Sequence, residues 1–339
     1  MKLMPDGGSV KLPVQNLTVQ YCISSEALNA KNHAFGGTWG GEDTTFHHNL
    51  FACNTGRNPS IGMGGEFDYR NNVIFNWRHR TMDGGDETSL INVINNYYKP
   101  GPMTPMDRPV AHRILKPESG RSYLGYQVYG RAYVNGNMVE GNERVTRDNW
   151  DGGVQIEDLP DAGEYKQRMK VDQPFPMPWL KIMEAAEAFE FVLENAGATF
   201  PERDAVDERI IRQVRSGQIF YVEGADASTG SEHVKHRLPA DSYKKGIIKN
   251  IEQVGGYPEY SGSAHTDSDE DGMPDSWEKK YARLGLDPDD ASDASGDCNG
   301  DGYTNIEKYI NGMDPEKLTD WTDLENNYDT LAKNKGVER

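Results

Sequence analysis

The chain has 339 residues and a formal net charge of −18, a length typical of about two or three domains. Apolar residues make up 36% of it and the mean hydropathy is −0.78. No stretch approaches the roughly 18 consecutive apolar residues of a membrane span, so we expect no membrane partner. The acidic balance argues against nucleic-acid binding, which needs a basic surface. Three cysteines are too few for a disulfide framework.

The charge is distributed unevenly along the chain. Residues 1–150 carry 15 Lys and Arg against 14 Asp and Glu, a net of +1. Residues 264–339 carry 8 against 20, a net of −12. The acidic character therefore lies mostly at the C-terminal end, and the near-neutral first part can hold an anionic ligand locally.

A short pattern that contains Asn recurs four times in the first part of the chain. The second Asn of each unit falls at positions 49, 72, 96 and 137, so the steps are 23, 24 and 41 residues. A period near 23 fits one coil of a solenoid, and the longest step is one coil plus an insertion at about residues 100–125. Short alternating segments between the asparagines have strand character, and Asn tolerates the left-handed backbone of a tight bend.

These observations predict an all-β fold, a partial right-handed parallel β-helix over residues 1–150. Stacked coils would set Asn above Asn in a ladder of side-chain amide hydrogen bonds. A β-sandwich with turn asparagines is the alternative. Residues 151–260 are expected to be irregular and helical and to pack on the β-helix, with one helix from Pro178 to a stop at Gly197 and another over Ala205–Ser216. A linker follows at residues 255–266, then a calcium-loop module at 264–315 and a C-terminal tail at 316–339.

The acidic module begins with a 12-residue segment, 267–278, that has the pattern of a calcium loop. Side-chain oxygens stand at positions 1, 3, 5, 9 and 12, a glycine at position 6 allows the sharp turn, and the backbone supplies position 7. A solvated acidic loop is the alternative. The predicted ligands are Asp267, Asp269, Asp271, Met273, Asp275 and Glu278.

A second loop begins at residue 297 and is less regular. Its predicted ligands are Asp297, Asn299, Asp301, Tyr303, Asn305 and Glu307. The glutamate is the eleventh residue and Lys308 the twelfth, so the closing ligand is off register. Carboxylates within residues 287–293 are candidates to complete either shell. The two loops resemble the paired calcium repeats of thrombospondin type 3 or dockerin kind found on secreted enzymes, with a structural rather than catalytic role. Weak sites of this kind suit millimolar extracellular calcium.

The segment from His47-His48-Asn49 to Arg57-Asn58-Pro59, with the Asn-Asn coils that follow it, resembles the pectate lyases of polysaccharide lyase family 1. The match is closest to bacterial members that end in calcium repeats and covers about residues 6–312. The resemblance implies calcium-assisted β-elimination of polygalacturonate. Calcium neutralises the galacturonate carboxylate, which acidifies the proton at C5.

In that family an arginine of an Arg-x-Pro motif acts as the base, and Arg57 matches it. Because arginine side chains are ordinarily protonated, such a role demands a site dense in positive charge. The alternative is that Arg57 only binds a carboxylate. The resemblance also implies a basic residue one coil earlier, for which Lys31 and His33 are both candidates.

A second arginine of the motif is replaced here by Gly62, so one substrate contact is absent or supplied by another residue. The candidates are Arg70, Arg78 and Arg80. One residue of the pair His47 and His48 is expected to be a core histidine.

The resemblance places several coils before the point where this sequence begins. Asp6 falls where one calcium-binding aspartate is expected, and an earlier one has no counterpart. We therefore expect an N-terminally truncated, monomeric, extracellular lyase whose signal peptide belongs to the missing part. The alternatives are a non-catalytic polysaccharide-binding solenoid and a β-helix hydrolase. A hydrolase needs paired carboxylates, and no clustered Asp pair stands out on residues 16–142.

Overall fold

The computed structural model describes residues 14–62, 65–120, 128–156, 162–177, 180, 182–199, 202–226, 238–259, 264–310 and 312–318, and the backbone of 2–3 and 9–10. It divides into two compact units. The first comprises residues 1–177 and 182–258, and the second comprises residues 178–181 and 259–339.

The first unit is a parallel β-solenoid, as the sequence predicts. Each coil adds one strand to each of three parallel sheets. The first sheet contains Thr18–Gln20, Thr44–His47, Glu66–Arg70, Leu90–Ile94 and Arg131–Asn135. The second contains Ile23–Ser25, Leu50–Ala52, Val73–Phe75, Tyr97–Lys99 and Met138–Val139. The third contains Thr38–Trp39, Ser60–Ile61, Met82–Gly84 and Leu115–Pro117. Strands Lys2–Leu3 and Ser9–Val10 form a separate antiparallel pair.

The interior of the solenoid is filled by large apolar and aromatic side chains that stack in register from one coil to the next. Phe46 pairs with Tyr69, and Tyr69 pairs with Val93 in the next coil. All three are buried in one apolar cluster. Because side chains alternate between the faces of a strand, the neighbours of these residues along each strand, such as Asp68 beside Tyr69, point away from the interior. Stacked burial of this kind stabilises the coils by about 1.5–3 kcal/mol for each large apolar side chain.

The asparagine ladder lies at the corner between the first and second sheets. Each ladder amide donates to the next ladder carbonyl: Asn49 to Asn72 at 3.0 Å, Asn72 to Asn96 at 3.0 Å and Asn96 to Asn137 at 2.8 Å. A fifth residue, Asn149, continues the row at 2.9 Å. The predicted ladder is confirmed, and it satisfies polar groups that would otherwise be costly to bury.

The left-handed backbone is found one residue before each ladder position, not at the ladder asparagine itself. The φ angles are 55° at His48, 52° at Asn71 and 51° at Asn95. In each Asn-Asn pair the first residue therefore makes the bend, and the second makes the ladder. The insertion predicted at about residues 100–125 also contains regular structure, including a 3₁₀ helix, Pro109–His112, and the third-sheet strand Leu115–Pro117.

Two helices of the first unit pack against the second sheet. Helix Ala185–Asn195 contributes Phe189 and Val192, and helix Ala205–Ser216 contributes Ile210, to a cluster with second-sheet residues. The first begins later than predicted, since Met183 lies before it in extended chain and bonds to Asn71. Residues 178, 179 and 181 of that prediction lie outside the described residues. Further helices described in this unit are Glu143–Arg147, Gly163–Met169 and the 3₁₀ helices Ala240–Lys245 and Ile251–Val254.

In its described residues, the second unit contains two loops, each followed by a helix. Helix Asp275–Tyr281 follows the first loop and helix Asn305–Ile310 the second, with 3₁₀ helices Ala282–Leu284 and Asp293–Ser295 between them. Met273, Tyr281 and Leu286 form its small apolar core. Among the described residues, none of the helices combines the length and apolar character that a bilayer crossing requires.

Candidate functional site

A group of basic side chains surrounds the ring of Phe35, just before the third sheet. The guanidinium carbons of Arg57 and Arg80 lie 5.1 Å and 5.2 Å from the ring centroid, within cation–π range. The rings of His33 and His79 lie 4.4 Å and 6.4 Å from it. These five residues, which we call the Phe35 cluster, come from three successive coils. The solenoid thus assembles basic groups that are far apart in sequence.

The backbone on both sides holds Arg57 in place. The Gly37 amide donates to the Arg57 carbonyl at 3.0 Å, and the Asn58 amide donates to the Thr81 carbonyl at 3.0 Å. The φ angle of Arg57 is 57°, in the left-handed region that a long side chain rarely adopts. A Cβ at Gly36 would lie 2.5 Å from the Arg57 carbonyl oxygen. Strained positions such as this one persist where the surroundings over-determine them and cluster at functional sites.

Arg57 and Arg80 differ in their acidic neighbours. Arg80 lies 3.1 Å from Asp83 and 3.9 Å from Glu118, which in turn lies 3.7 Å from Lys116. Burial raises the pKa of Asp83, and the Arg80 charge offsets part of that rise. Arg57 makes no ion pair within the described ranges. It is therefore the half-buried cation of the cluster that is left to meet an anionic ligand.

The remaining predicted substrate residues lie outside this cluster. Lys31 is exposed in the same coil as His33 and, within the described chain, makes no ring contact. Arg78 is half-buried, and its Nε has no hydrogen-bond partner among the described residues. Arg70 lies on the outer side of the first sheet, where its Nε donates to Asp68 at 2.6 Å and the residue is 7% exposed. The structure therefore joins His33, Arg57 and Arg80 but places Arg70 on another sheet.

Sequence reasoning missed several residues at this site. Asp83 and Lys116 are register partners on the third sheet. The strands of that sheet have two or three residues, too few for a visible alternation of apolar and polar positions. The usable signals were the closeness of Phe35 to His33 in the sequence and the position of His79 and Asp83 about one coil after Arg57. The missed residues are Phe35, His79, Asp83, Lys116 and Glu118.

The histidine pair is buried at the ladder corner. The Nδ1 atoms of His47 and His48 are 2.6 Å apart, and the ring of His48 stacks on Tyr21 with centroids 5.4 Å apart. Burial, and then the charge of Arg70, lowers the pKa of His47 to about 3. Both histidines are therefore neutral core groups, not only the one that was predicted.

The first acidic loop of the second unit gathers carboxylates around one point. Ligand oxygens of Asp267, Asp269 and Asp271 lie within 4.8 Å of one another, as do those of Asp271, Glu278 and Asp293. Glu278 is 0% exposed, yet among the described residues neither of its carboxylate oxygens has a hydrogen-bond partner. Burial and the neighbouring carboxylates raise its pKa to about 7.

Orphaned, buried carboxylate oxygens at loop positions 3, 5 and 12 are the donor set that calcium requires. Asp293 brings a further carboxylate to this cluster from the segment between the loops. Asp275, the predicted position-9 ligand, instead accepts hydrogen bonds from Ser268 and from Lys279 at 2.8 Å. The residues of the first loop therefore fit a calcium ion.

The second loop contains a lysine among its predicted ligands. The ammonium of Lys308 lies 2.7 Å from Asp297 and 2.8 Å from Asp301, and it also donates to the Tyr303 carbonyl. Lys308 is 1% exposed. Its single positive charge offsets part of the negative charge of the acidic groups that sequence reasoning assigned to calcium. Asp6, the remaining predicted metal ligand, lies outside the described residues.

A cavity of about 520 Å³ lies elsewhere in the first unit, along helix Ala205–Ser216. Its lining includes Arg212, Phe220 and Tyr257. None of the predicted site residues lines it. The candidate site is instead the open surface around Phe35.

No protein-family model matches this chain. It is similar to two curated fungal proteins, each named "Probable pectate lyase C". The protein from Aspergillus flavus is 29% identical over 314 residues, and the one from Aspergillus terreus is 28% identical over 314 residues. Each alignment covers 91% of this chain and 62% of the relative. The chain thus spans about three fifths of the length of the curated relatives it matches.

Proposed function

We propose that the chain is a polysaccharide lyase of the pectate lyase type, which cleaves polygalacturonate by β-elimination. One observation carries the proposal: Arg57 of the Arg-x-Pro motif stands in a cluster of basic groups without an acidic partner among the described residues. The similarity to proteins named as pectate lyases along 91% of the chain supports it. An acidic polysaccharide is the partner that this charge pattern suits.

In the proposed reaction Arg57 removes the proton at C5 of a galacturonate, the bond between C4 and the glycosidic oxygen breaks, and the departing oxygen takes up a proton from water. A C4–C5 double bond forms, so the product is unsaturated. Arg80 supplies positive charge at the same ring of Phe35. Calcium, when bound to the substrate carboxylate, neutralises it and makes the C5 proton more acidic.

Arg80 is the best candidate for the arginine that is missing from position 62. It shares the Phe35 ring with Arg57, whereas Arg70 is paired with Asp68 on the first sheet. The Asp83 carboxylate, 3.1 Å away, orients Arg80. We propose that Arg80 and His33 hold the substrate and that Arg57 acts as the base.

We assign the first loop of the second unit to a structural calcium ion held by Asp267, Asp269, Asp271, Glu278 and Asp293. Its fit rests on the buried, unpartnered carboxylate oxygens described above. Calcium levels sufficient for such loops occur outside cells. We therefore also infer an extracellular protein, and we propose that it is a monomer.

The decisive experiment follows the ultraviolet absorbance of the unsaturated product, with polygalacturonate and calcium supplied. We expect Arg57→Ala to lower kcat/KM by about 10³-fold, as loss of a base does in other enzymes. The matched control is Arg212→Ala, which removes an exposed arginine on helix Ala205–Ser216 and should leave the rate unchanged.

Full activity in Arg57→Ala would refute the base assignment. Pectate binding without product, for wild type and variants alike, would favour the second candidate, a solenoid that binds polysaccharide without cleaving it.

A further inference from the structure

The two loops of the second unit share one hydrogen-bonding frame. The position-6 amide donates to the position-1 carboxylate in both: Gly272 to Asp267 at 3.0 Å and Gly302 to Asp297 at 2.8 Å. The position-7 amide donates to the position-5 carboxylate in both, at 2.7 Å and 3.1 Å. The position-2 amide donates to the position-9 side chain in both, at 2.8 Å and 3.0 Å. The second loop therefore has the shape of a cation site.

The loops differ at position 12, where the first has Glu278 and the second has Lys308. The Glu278 carboxylate is buried without a hydrogen-bond partner among the described residues. The Lys308 ammonium is equally buried but contacts Asp297, Asp301 and the Tyr303 carbonyl, at positions 1, 5 and 7. These are the positions from which a calcium loop coordinates its ion.

The other predicted ligands of the second loop are engaged elsewhere. The Asn299 amide donates to the carbonyls of Pro315 and Lys317, at 3.1 Å and 2.9 Å. Glu307 accepts from the amide and the hydroxyl of Thr304, both at 2.8 Å, at the start of its own helix. In the described part of this loop no carboxylate is left to close a shell of about six to eight oxygens.

We propose that Lys308 is a built-in cation that takes the place of calcium in the second loop, so that this unit binds calcium at the first loop alone. The ammonium makes the second loop independent of calcium concentration. The first loop needs the ion, because without it several carboxylates are buried together. The second loop then always contains its cation, because Lys308 is part of the chain. The first loop contains a cation only when the calcium concentration of the solution is high enough.

The test is the number of calcium ions bound by the full chain, measured by equilibrium dialysis without substrate. We expect Glu278→Gln to lower the number by one and Asp297→Asn to leave it unchanged. Lys308→Glu restores a position-12 carboxylate and should raise the number by one. Lys280→Glu is the control, because it makes the same charge change on an exposed residue of the same unit and should not change the number.

Comparing each variant with the wild type removes any contribution from other calcium sites. Loss of one ion in Asp297→Asn would overturn the proposal, as would an unchanged number in a folded Lys308→Glu. An unchanged number in Glu278→Gln would instead refute the calcium assignment of the first loop. The wild-type and Asp297→Asn results test the role of Lys308 even if Lys308→Glu does not fold.

Discussion

Two corners of the same solenoid coils use polar residues in opposite ways. At the ladder corner, between the first and second sheets, the side chains of Asn49, Asn72 and Asn96 are 0% exposed and bond to one another and to backbone. At the Phe35 corner, before the third sheet, Arg57 makes no ion pair among the described residues. The first corner gives the fold its register, and the second leaves charge available for a ligand.

The comparison shows how one repeat can hold both a scaffold and a site. Fully satisfied polar rows in a core are specific as well as stabilising, because each member has one correct partner. Polar groups left without partners lower the stability of the fold, and they persist where they serve a function such as ligand binding. Changes at the ladder corner should therefore act on stability, and changes at the Phe35 corner should act on activity.

The largest effect on stability is expected at the middle of the ladder. The Asn72 amide donates to the Phe46 carbonyl and to Asn96, and its carbonyl accepts from the Asn49 backbone. Asn72→Ala leaves these buried groups unpaired and should lower the free energy of unfolding by about 3 kcal/mol or more. Urea unfolding followed by circular dichroism measures it, and kcat/KM of the folded fraction should stay within about twofold.

The matched control is Asn135→Ala, which removes an exposed asparagine of the first sheet. It should change the free energy of unfolding by less than about 0.5 kcal/mol. Equal losses of unfolding free energy in the two variants would show that the ladder amides stabilise the fold no more than an exposed asparagine does. A large loss of activity in folded Asn72→Ala would show that the two corners are not separate.

The next effect tests the Phe35 corner. Arg80→Gln removes the charge beside Phe35 and should raise KM about tenfold, which corresponds to about 1.4 kcal/mol of binding free energy. Steady-state kinetics on polygalacturonate measure the change, with Arg212→Gln as the matched control. A fall in kcat at unchanged KM would place Arg80 in the chemical step instead of in substrate binding.

The ladder corner was predictable from the sequence because its asparagines recur at nearly constant spacing. That spacing also predicted the parallel sheets and the amide ladder. The Phe35 corner was only partly predictable. Arg57 stands in a short motif, but Phe35 and Asp83 join it through stacking of coils whose loops differ in length. The cis Asn58–Pro59 bond leaves no pattern in the sequence.

The calcium loops show the same limit. Loop spacing predicted the first site, yet the carboxylate cluster around the buried glutamate includes Asp293 from a separate segment. Asp275 instead accepts hydrogen bonds from Ser268 and Lys279. In the second loop the sequence showed a lysine at position 12 without showing where its ammonium points. The side-chain direction depends on how helix Asn305–Ile310 begins, and spacing alone does not determine it.

The last expected effect is an acid sensitivity of the ladder corner, caused by the neutral pair His47 and His48. Burial lowers the pKa of both, so the folded state resists protons that the unfolded chain takes up below about pH 6.5. Stability contributed by the neutral pair is present above that pH and is lost as the pH falls, by roughly 2 kcal/mol at pH 5 from His47 alone. His48→Asn keeps a residue that tolerates the left-handed backbone at this position, where φ is 55°. It should lower stability at pH 7.5 but flatten its decline between pH 7 and 5, measured by urea unfolding, whereas Asn135→Ala should keep the wild-type slope. If the free energy of unfolding of His48→Asn declined with pH as steeply as that of the wild type, groups other than this histidine pair would cause the acid sensitivity.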